Sequence, residues 1–162
     1  MSRTSNWHRA SIREKLADEF PGAWGSSPAG GRGNALALRS TNIDDVGNID
    51  YRTGAERVLS ESKLEAKALQ AGDIILEGSG GGKGKPVGRV ALFEQPDDKR
   101  TYVCSNFFRT LRPSSEVDNR FLFWRLLHYW RQPSVWAHQQ QTTSIINLKH
   151  RHYLATKFEW PP

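Results

Sequence analysis

Apolar residues along this chain cluster in short runs of strand length rather than in long periodic stretches. Residues 73–76 (DIIL) and 87–93 (VGRVALF) are rich in β-branched and apolar side chains and flank the glycine-rich segment GSGGGKGK. That pattern predicts a hairpin with a long tip. The runs ALALR (35–39), TYVCS (101–105), FFRTLR (107–112) and ATKFEW (155–160) predict further strands. Ile12, Leu16 and Phe20 recur every four residues, which predicts an amphipathic helix stopped by Pro21. SESKLEAKALQAGD (60–73) reads as a second helix closed by Gly72. The strongest helical stretch is VDNRFLFWRLLHYWRQ (117–132), with Asp118 as its cap and apolar residues over most of its circumference. It is expected at the buried centre, with Trp124, Trp130 and Trp136 in the core. After Pro133, SVWAHQQQ reads as a resumed helix, and INLKHRHYL as a short helix begun by Asn147. Residues 40–50 (STNIDDVGNID) carry the Asn, Asp and Gly that turns require. This irregular alternation predicts an α+β fold, with a mixed or antiparallel sheet around a buried, aromatic-rich helix.

A glycine-rich segment with two lysines raises the question of a phosphate cradle. A P-loop needs Gly, four residues, then Gly-Lys-Ser/Thr, because the hydroxyl holds magnesium and a helix starts there. Here Pro86 follows Gly84-Lys85, and Ser79 stands where the first glycine belongs. The G-x-G-x-x-G spacing of dinucleotide sites is absent as well. The segment therefore reads as a flexible tip that brings backbone close to a partner and carries Lys83 and Lys85 toward its anionic face. A plain mobile surface turn is the simpler alternative.

The length of 162 residues suits one domain, and 23 Lys and Arg against 17 Asp and Glu give a net charge of +6. That balance favours an anionic partner such as nucleic acid and excludes a DNA-mimicking inhibitor, which needs dense negative charge. The single cysteine, Cys104, can form no internal disulfide, which suits a reducing cytoplasm. No apolar run reaches membrane-span length, and MSRTSNWHRA lacks a signal-peptide core.

Catalytic patterns are sparse. None of His8, His128, His138, His150 and His152 sits in an H-E-x-x-H frame or beside a cysteine pair, and there is no G-x-S-x-G elbow. His150 and His152 could share one face of a strand but diverge on a helix. The S-adenosylmethionine signature and the Asn-Pro-Pro-aromatic loop of DNA methyltransferases are missing. A Mg²⁺-dependent nuclease remains an alternative: Glu61-x-Lys63 or Glu65-x-Lys67 could join Asp45 or Asp50, although Glu and Lys on a helix are also ordinary solvent-facing residues.

Five segments, in order, carry a family likeness: ALRSTNIDDVGNIDY, LQAGDIILEGSGGGKGKPVGRVALF, CSNFFRTLRP, FLFWRLLHYW and QQQTTSIINLKHRHYLATKFEWPP. Together they resemble the target recognition domain of the specificity subunit of type I restriction-modification systems, from about Trp7 to Pro162. The resemblance implies a single recognition domain over 1–162 that reads one half of a bipartite double-stranded DNA target and catalyses nothing. It also implies no cofactor of its own, with S-adenosylmethionine, ATP and Mg²⁺ bound by partner subunits. The implied partners are the modification (methyltransferase) and restriction subunits, in the cytoplasm and away from membranes. Two features depart from the family. The long spacer helices that separate the family's two domains are absent, so a half-subunit fragment, an excised domain or a truncated gene product is expected, and Ser144 stands where the family more often has Gly.

Base reading needs Arg for guanine, Asn or Gln for adenine, and Ser or Thr as adaptable partners. Such groups concentrate at Arg39, Ser40, Thr41 and Asn42; at Ser79, Lys83 and Lys85; and at Gln140, Gln141, Thr142 and Thr143. Lys83 and Lys85 are expected on phosphates, with Asn42 and Gln141 as base readers. The competing structural readings are an asparagine capping its own turn and the polar end of a helix. Arg32, in SSPAGGRGN, could reach a phosphate. General single-stranded nucleic-acid binding is a further alternative, with adjacent Phe107 and Phe108 as stacking candidates.

Overall fold

The computed structural model describes residues 6–82, 84–142 and 144–162. In chain order the strands are β1 (His8–Ser11), β2 (Leu16–Pro21), β3 (Ala35–Leu38), β4 (Ala55–Arg57), β5 (Ile74–Glu77), β6 (Ser79–Gly80), β7 (Val90–Leu92), β8 (Tyr102–Cys104), β9 (Phe108–Pro113), β10 (Gln139–Gln141), β11 (Ile146–Leu148) and β12 (Lys157–Trp160). The helices are α1 (Glu61–Lys67), α2 (Asn119–Trp130) and α3 (His150–Leu154). The fold is α+β with mostly antiparallel sheets, as expected; the one parallel pair among the described residues is β3 with β8.

The central sheet has the order β2-β9-β5-β7 and is antiparallel throughout. β5 lies inside it and is buried along its whole length, which explains an unbroken apolar run where one wet face would demand alternation. Ile74 and Leu76 point to one side, where they meet Leu122, Leu126 and Leu127 of α2. Ile75 points to the other and packs with Phe93, Tyr102 and Phe108 under the β4-β3-β8 sheet. Asp118 caps α2 by accepting a hydrogen bond from the Phe121 N–H at 2.7 Å. The 44–48 turn lies directly on α2: at Gly47, with φ of +86°, a Cβ would fall 2.5 Å from the Phe123 ring, so only glycine fits. β1 and β12 pair at the two ends of the chain, and Trp160 Nε1 donates to the Ala10 carbonyl at 2.9 Å.

Several predicted elements differ. Residues 11–20 form no α-helix; β1 leads through Ile12 and a 3-10 turn at Arg13–Lys15 into β2, which pairs with β9. A spacing of four fits a helix, but it is also two strand periods, and pairing with β9 decides between them. Residues 133–138 are a 3-10 turn and Gln139–Gln141 are a strand, since β11 offers them a ladder that no local signal announces. Asn147 likewise sits in β11, and the helix begins at His150. The second helix ends at Lys67, and Gly72 serves instead, at φ of +94°, in the turn before β5. Trp130 is buried as expected, but Trp124 is 60% and Trp136 45% exposed, so neither belongs to the core. Among the described residues no helix is long and apolar enough to cross a membrane.

Candidate nucleic-acid interface

The described residues of the glycine-rich tip between β5 and β7 are anchored at several points. At its root, Glu77 is buried and accepts from Arg89 Nη2 at 2.8 Å and Nε at 3.2 Å. The same guanidinium donates to the carbonyls of Ile43 (2.6 Å) and Ser40 (3.3 Å). One buried ion pair thus binds the 40–45 segment to the central sheet. One step further, the N–H groups of Gly78 and Ser79 both donate to the Phe107 carbonyl, at 2.8 and 3.0 Å. β6 then pairs with β11, which pairs with β10. Gln139 secures the return path: its Oε1 accepts from Val87 N–H at 2.9 Å and its Nε2 donates to Val87 O at 3.1 Å. At the end of the tip, Gly82 and Lys85 exchange both backbone hydrogen bonds. Gly81 meets the bend with φ of +68°, where a Cβ would crowd the Lys85 carbonyl at 3.1 Å.

Two of the three polar clusters expected from the sequence therefore share one small sheet, of order β10-β11-β6. Its register sets Gln140 opposite Asn147 and Asn147 opposite Ser79, so the three side chains form a row on one face. Ser79 Oγ donates to Asn147 Oδ1 at 2.7 Å, which ties the two side chains together. Gln140, Gln141 and Thr142 are exposed, but strand alternation turns Gln141 to the face opposite Gln140. Lys83 and Thr143 lie outside the described residues. The sequence marks Asn147 only as a helix start; its role in the row depends on pairing with β6, which leaves no local signal.

The third cluster divides. Ser40 and Thr41 are exposed on a 3-10 turn, whereas Asn42 is 2% exposed. Its Oδ1 accepts from Arg39 N–H at 2.8 Å, and its Nδ2 donates to Asp50 O at 3.0 Å and Thr53 Oγ1 at 2.8 Å. That amide is committed within its own loop, so in this conformation Asn42 holds the turn and offers nothing to a base. Arg39 Nη2 donates to Thr53 O at 2.8 Å. Between this cluster and the Ser79 row stands the β8–β9 turn. Phe108 points into the core and Phe107 points out, 48% exposed, next to exposed Asn106.

Charge on this face is arranged in pairs. Lys85 Nζ contacts both Asp45 oxygens, at 2.7 and 2.9 Å, and this hydrogen bond holds the Asp45 carboxyl below its usual range. Asp50 is bound in the same way by Arg52. The two upstream carboxylates of the nuclease alternative are thus engaged by cations, while Glu61 and Glu65 are exposed on α1. Among the described residues no three metal-binding side chains of the His, Cys, Asp and Glu types converge. His150 and His152 diverge on α3. His152 instead meets His138 with their Nδ1 atoms 2.8 Å apart, and Tyr129 Oη lies 2.6 Å from His138 Nε2. Burial, with His152 and Lys149 nearby, lowers the His138 pKa to about 4. Cys104 is buried, which pushes its thiol up to about 11, away from nucleophilic use.

The packed core thus displays amides, hydroxyls and the Phe107 ring on the loops of this face. Solved structures from type I restriction-modification systems share this fold. The chain superposes on the S subunit of a type I restriction-modification system from M. genitalium with a TM-score of 0.57 and 15% identity, over 99% of this chain and 36% of that one. It matches the HsdS subunit from Thermoanaerobacter tengcongensis with a TM-score of 0.56 and 13% identity, over 100% of this chain and 35% of that one. A structure addressing complex assembly and conformational transition of the type I R-M system gives a TM-score of 0.60 at 13% identity, over 100% and 36%. The fold is therefore that of a type I specificity-subunit recognition domain, and the chain spans about a third of the length of the structures it matches. No family model and no curated protein sequence matches it.

Proposed function

We propose that this chain is a target recognition domain that reads one half of a bipartite duplex-DNA target within the specificity function of a type I restriction-modification enzyme. What carries the reading is the fold correspondence, which runs over essentially the whole chain. The site chemistry supports it. The Gln140–Asn147–Ser79 row offers amides suited to adenine edges, and Lys85 offers a cation suited to phosphate. In this reading Ser40, Thr41, Gln141 and Thr142 are adaptable contacts, Arg39 and Asn42 shape their loop, and Lys83 and Thr143 stay candidate contacts by residue type. The domain is non-catalytic and works in the cytoplasm. Methyl transfer and ATP-driven cleavage, with S-adenosylmethionine, ATP and Mg²⁺, belong to modification and restriction subunits that it directs.

The test is a graft of residues 6–162 into a complete specificity subunit in place of one recognition domain, followed by mapping of the methylated sites. One half of the methylated sequence should change and the other should stay. An unchanged target sequence in an assembled, active enzyme overturns the reading. A competition assay separates it from general single-strand binding: duplex should displace labelled duplex far better than either strand alone.

A further inference from the structure

Beside the polar row lies a cleft of about 380 Å³, lined by Trp24, Arg39, Thr41, Ser105, Asn106 and Phe107 among others. Two aromatic residues contribute apolar wall, and Arg57 holds the Trp24 ring in place, its guanidinium 4.2 Å from the ring centroid. Residues that line the cleft also carry polar groups that the protein leaves unused. Arg39 Nε and Ser105 Oγ are buried side-chain atoms with no hydrogen-bond partner among the described residues, and both belong to residues lining this one cleft. Buried polar groups are rarely left orphaned, because each forfeits its hydrogen bonds to water. Both lie in residues that wall the cleft, so a ligand seated there that draws either side chain forward supplies the missing partner. Exposed Asn106 and Thr41 add an amide and a hydroxyl at the mouth.

We propose that this cleft binds a single nucleobase displaced from its stack. A nucleobase is planar and apolar on its faces, which suits the aromatic wall, and it carries donors and acceptors on its edge, which suits the unpaired Arg39 N–H, the Ser105 hydroxyl and the Asn106 amide. Phe107 ties the cleft to the DNA face, since its carbonyl receives Gly78 and Ser79 while its ring is exposed at the cleft. The proposal rests on the duplex-DNA reading for where the base comes from, but the cleft's chemistry stands apart from it.

The experiment uses the whole chain and three probes: a short duplex with one unpaired nucleotide, in versions for each of the four bases; the same duplex with an abasic residue at that position; and free nucleosides. Duplex binding is followed by fluorescence anisotropy, and nucleoside binding by amide shifts of Ser105 and Phe107. For at least one base, the unpaired-base duplex should bind roughly tenfold or more tighter than its abasic counterpart, the scale of one base–aromatic stack. Phe107→Ala, an exposed position, should abolish that gap. Ser105→Ala removes an unsatisfied hydroxyl, so it should narrow the gap without lowering the melting temperature. Equal affinity for unpaired-base and abasic duplexes overturns the proposal and leaves duplex recognition standing. A gap that survives Phe107→Ala overturns it as well, since the base is then held elsewhere. Nucleoside shifts at the cleft without duplex binding uphold the cleft and remove the duplex reading. Silence from every probe removes both.

Discussion

The base and the tip of the β5–β7 hairpin obey different physics although one chain segment builds both. At the base, Ile74, Ile75 and Leu76 bury apolar surface on both faces of the sheet, in a register paired to Val90, Ala91 and Leu92. At the tip, order comes from directed polar contacts to segments distant in sequence: Phe107, Asn147, Gln139 and Asp45. Burial is non-directional and forgiving of small shifts, whereas hydrogen bonds fix atoms in place. A recognition protein needs both, a core that is hard to deform and a surface whose donors and acceptors are held at fixed positions. The joint between the two is the Arg89–Glu77 pair.

The largest expected effect comes from breaking that joint. Arg89→Met leaves Glu77 buried without its cation and releases the Ile43 and Ser40 carbonyls, and should cost about 3–5 kcal/mol in chemical denaturation. Adding Glu77→Leu should recover much of that loss, because the penalty lies in the orphaned charge. Stability restored without DNA binding would show that the pair serves to hold the 40–45 loop. If the single variant cost no more than an ordinary surface change, the joint would be no joint.

Next in size is an acid-dependent loss centred on the root of β10. His138 is 3% exposed; Tyr129, His152 and Thr156 contact it, and Lys149 lies close by. Its folded pKa, about 4, is below the ordinary value of 6.5, so the unfolded chain takes up the proton first. Its contribution is therefore complete above pH 6.5 and is lost as pH falls toward 4. After allowance for solvent screening this amounts to roughly 1–3 kcal/mol. His138→Gln should flatten stability across that window, as read by thermal melts at successive pH values. An unchanged acid limb would place the titrating group elsewhere.

The contrast between base and tip also explains what can be read from the sequence. β5, β7, β8, β9, β12 and α2 are driven by local apolar patterning, and each is visible as such. Residues 11–20 and 139–141 mislead a local reading because their state depends on partners, β9 and β11, that no local period encodes. The same limit governs the site. Ser79 and Gln140 stand out by residue type, but their alignment through Asn147 is a matter of register. Asn42 stands out equally, and its amide proves committed to Arg39, Asp50 and Thr53. Side-chain chemistry can be read from a sequence, but its availability cannot, since availability is set by neighbours arriving from elsewhere in the chain.

Asn147→Ala and Gln140→Ala sharpen the comparison at the tip. If either amide reads adenine, its loss should cost about 1–3 kcal/mol on the matched site and almost nothing on an unmatched one, with preference relaxed at a single base pair. Asn42→Ala should behave differently. It unseats a loop, so it should lower stability and weaken matched and unmatched binding together. The measurement is a salt-controlled titration of each variant, in an assembled enzyme, on both duplexes. Reversed behaviour would return Asn42 to the reading surface and make the row structural.

The smallest effect expected is at Lys85, and it follows from the ion pair already in place. Lys85 and Asp45 are both about half exposed, with side-chain exposures of 45% and 55%, so their pairing is screened by solvent and contributes little to stability. Lys85→Ala should thus leave the melting temperature nearly unchanged. On DNA, a lysine on a phosphate releases counterions, so its removal should lower the magnitude of the salt slope by roughly 0.9 for each phosphate it neutralises, equally on matched and unmatched duplexes. Reaching a phosphate requires Lys85 to leave Asp45, or to bring that carboxylate close to DNA. Asp45→Asn removes the competing charge, and should therefore tighten binding to all duplexes with little change in selectivity. The two variants act in opposite directions through one ion pair. If Asp45→Asn weakened binding as Lys85→Ala does, the pair would be holding the tip in shape, and the phosphate would have to be met by another cation.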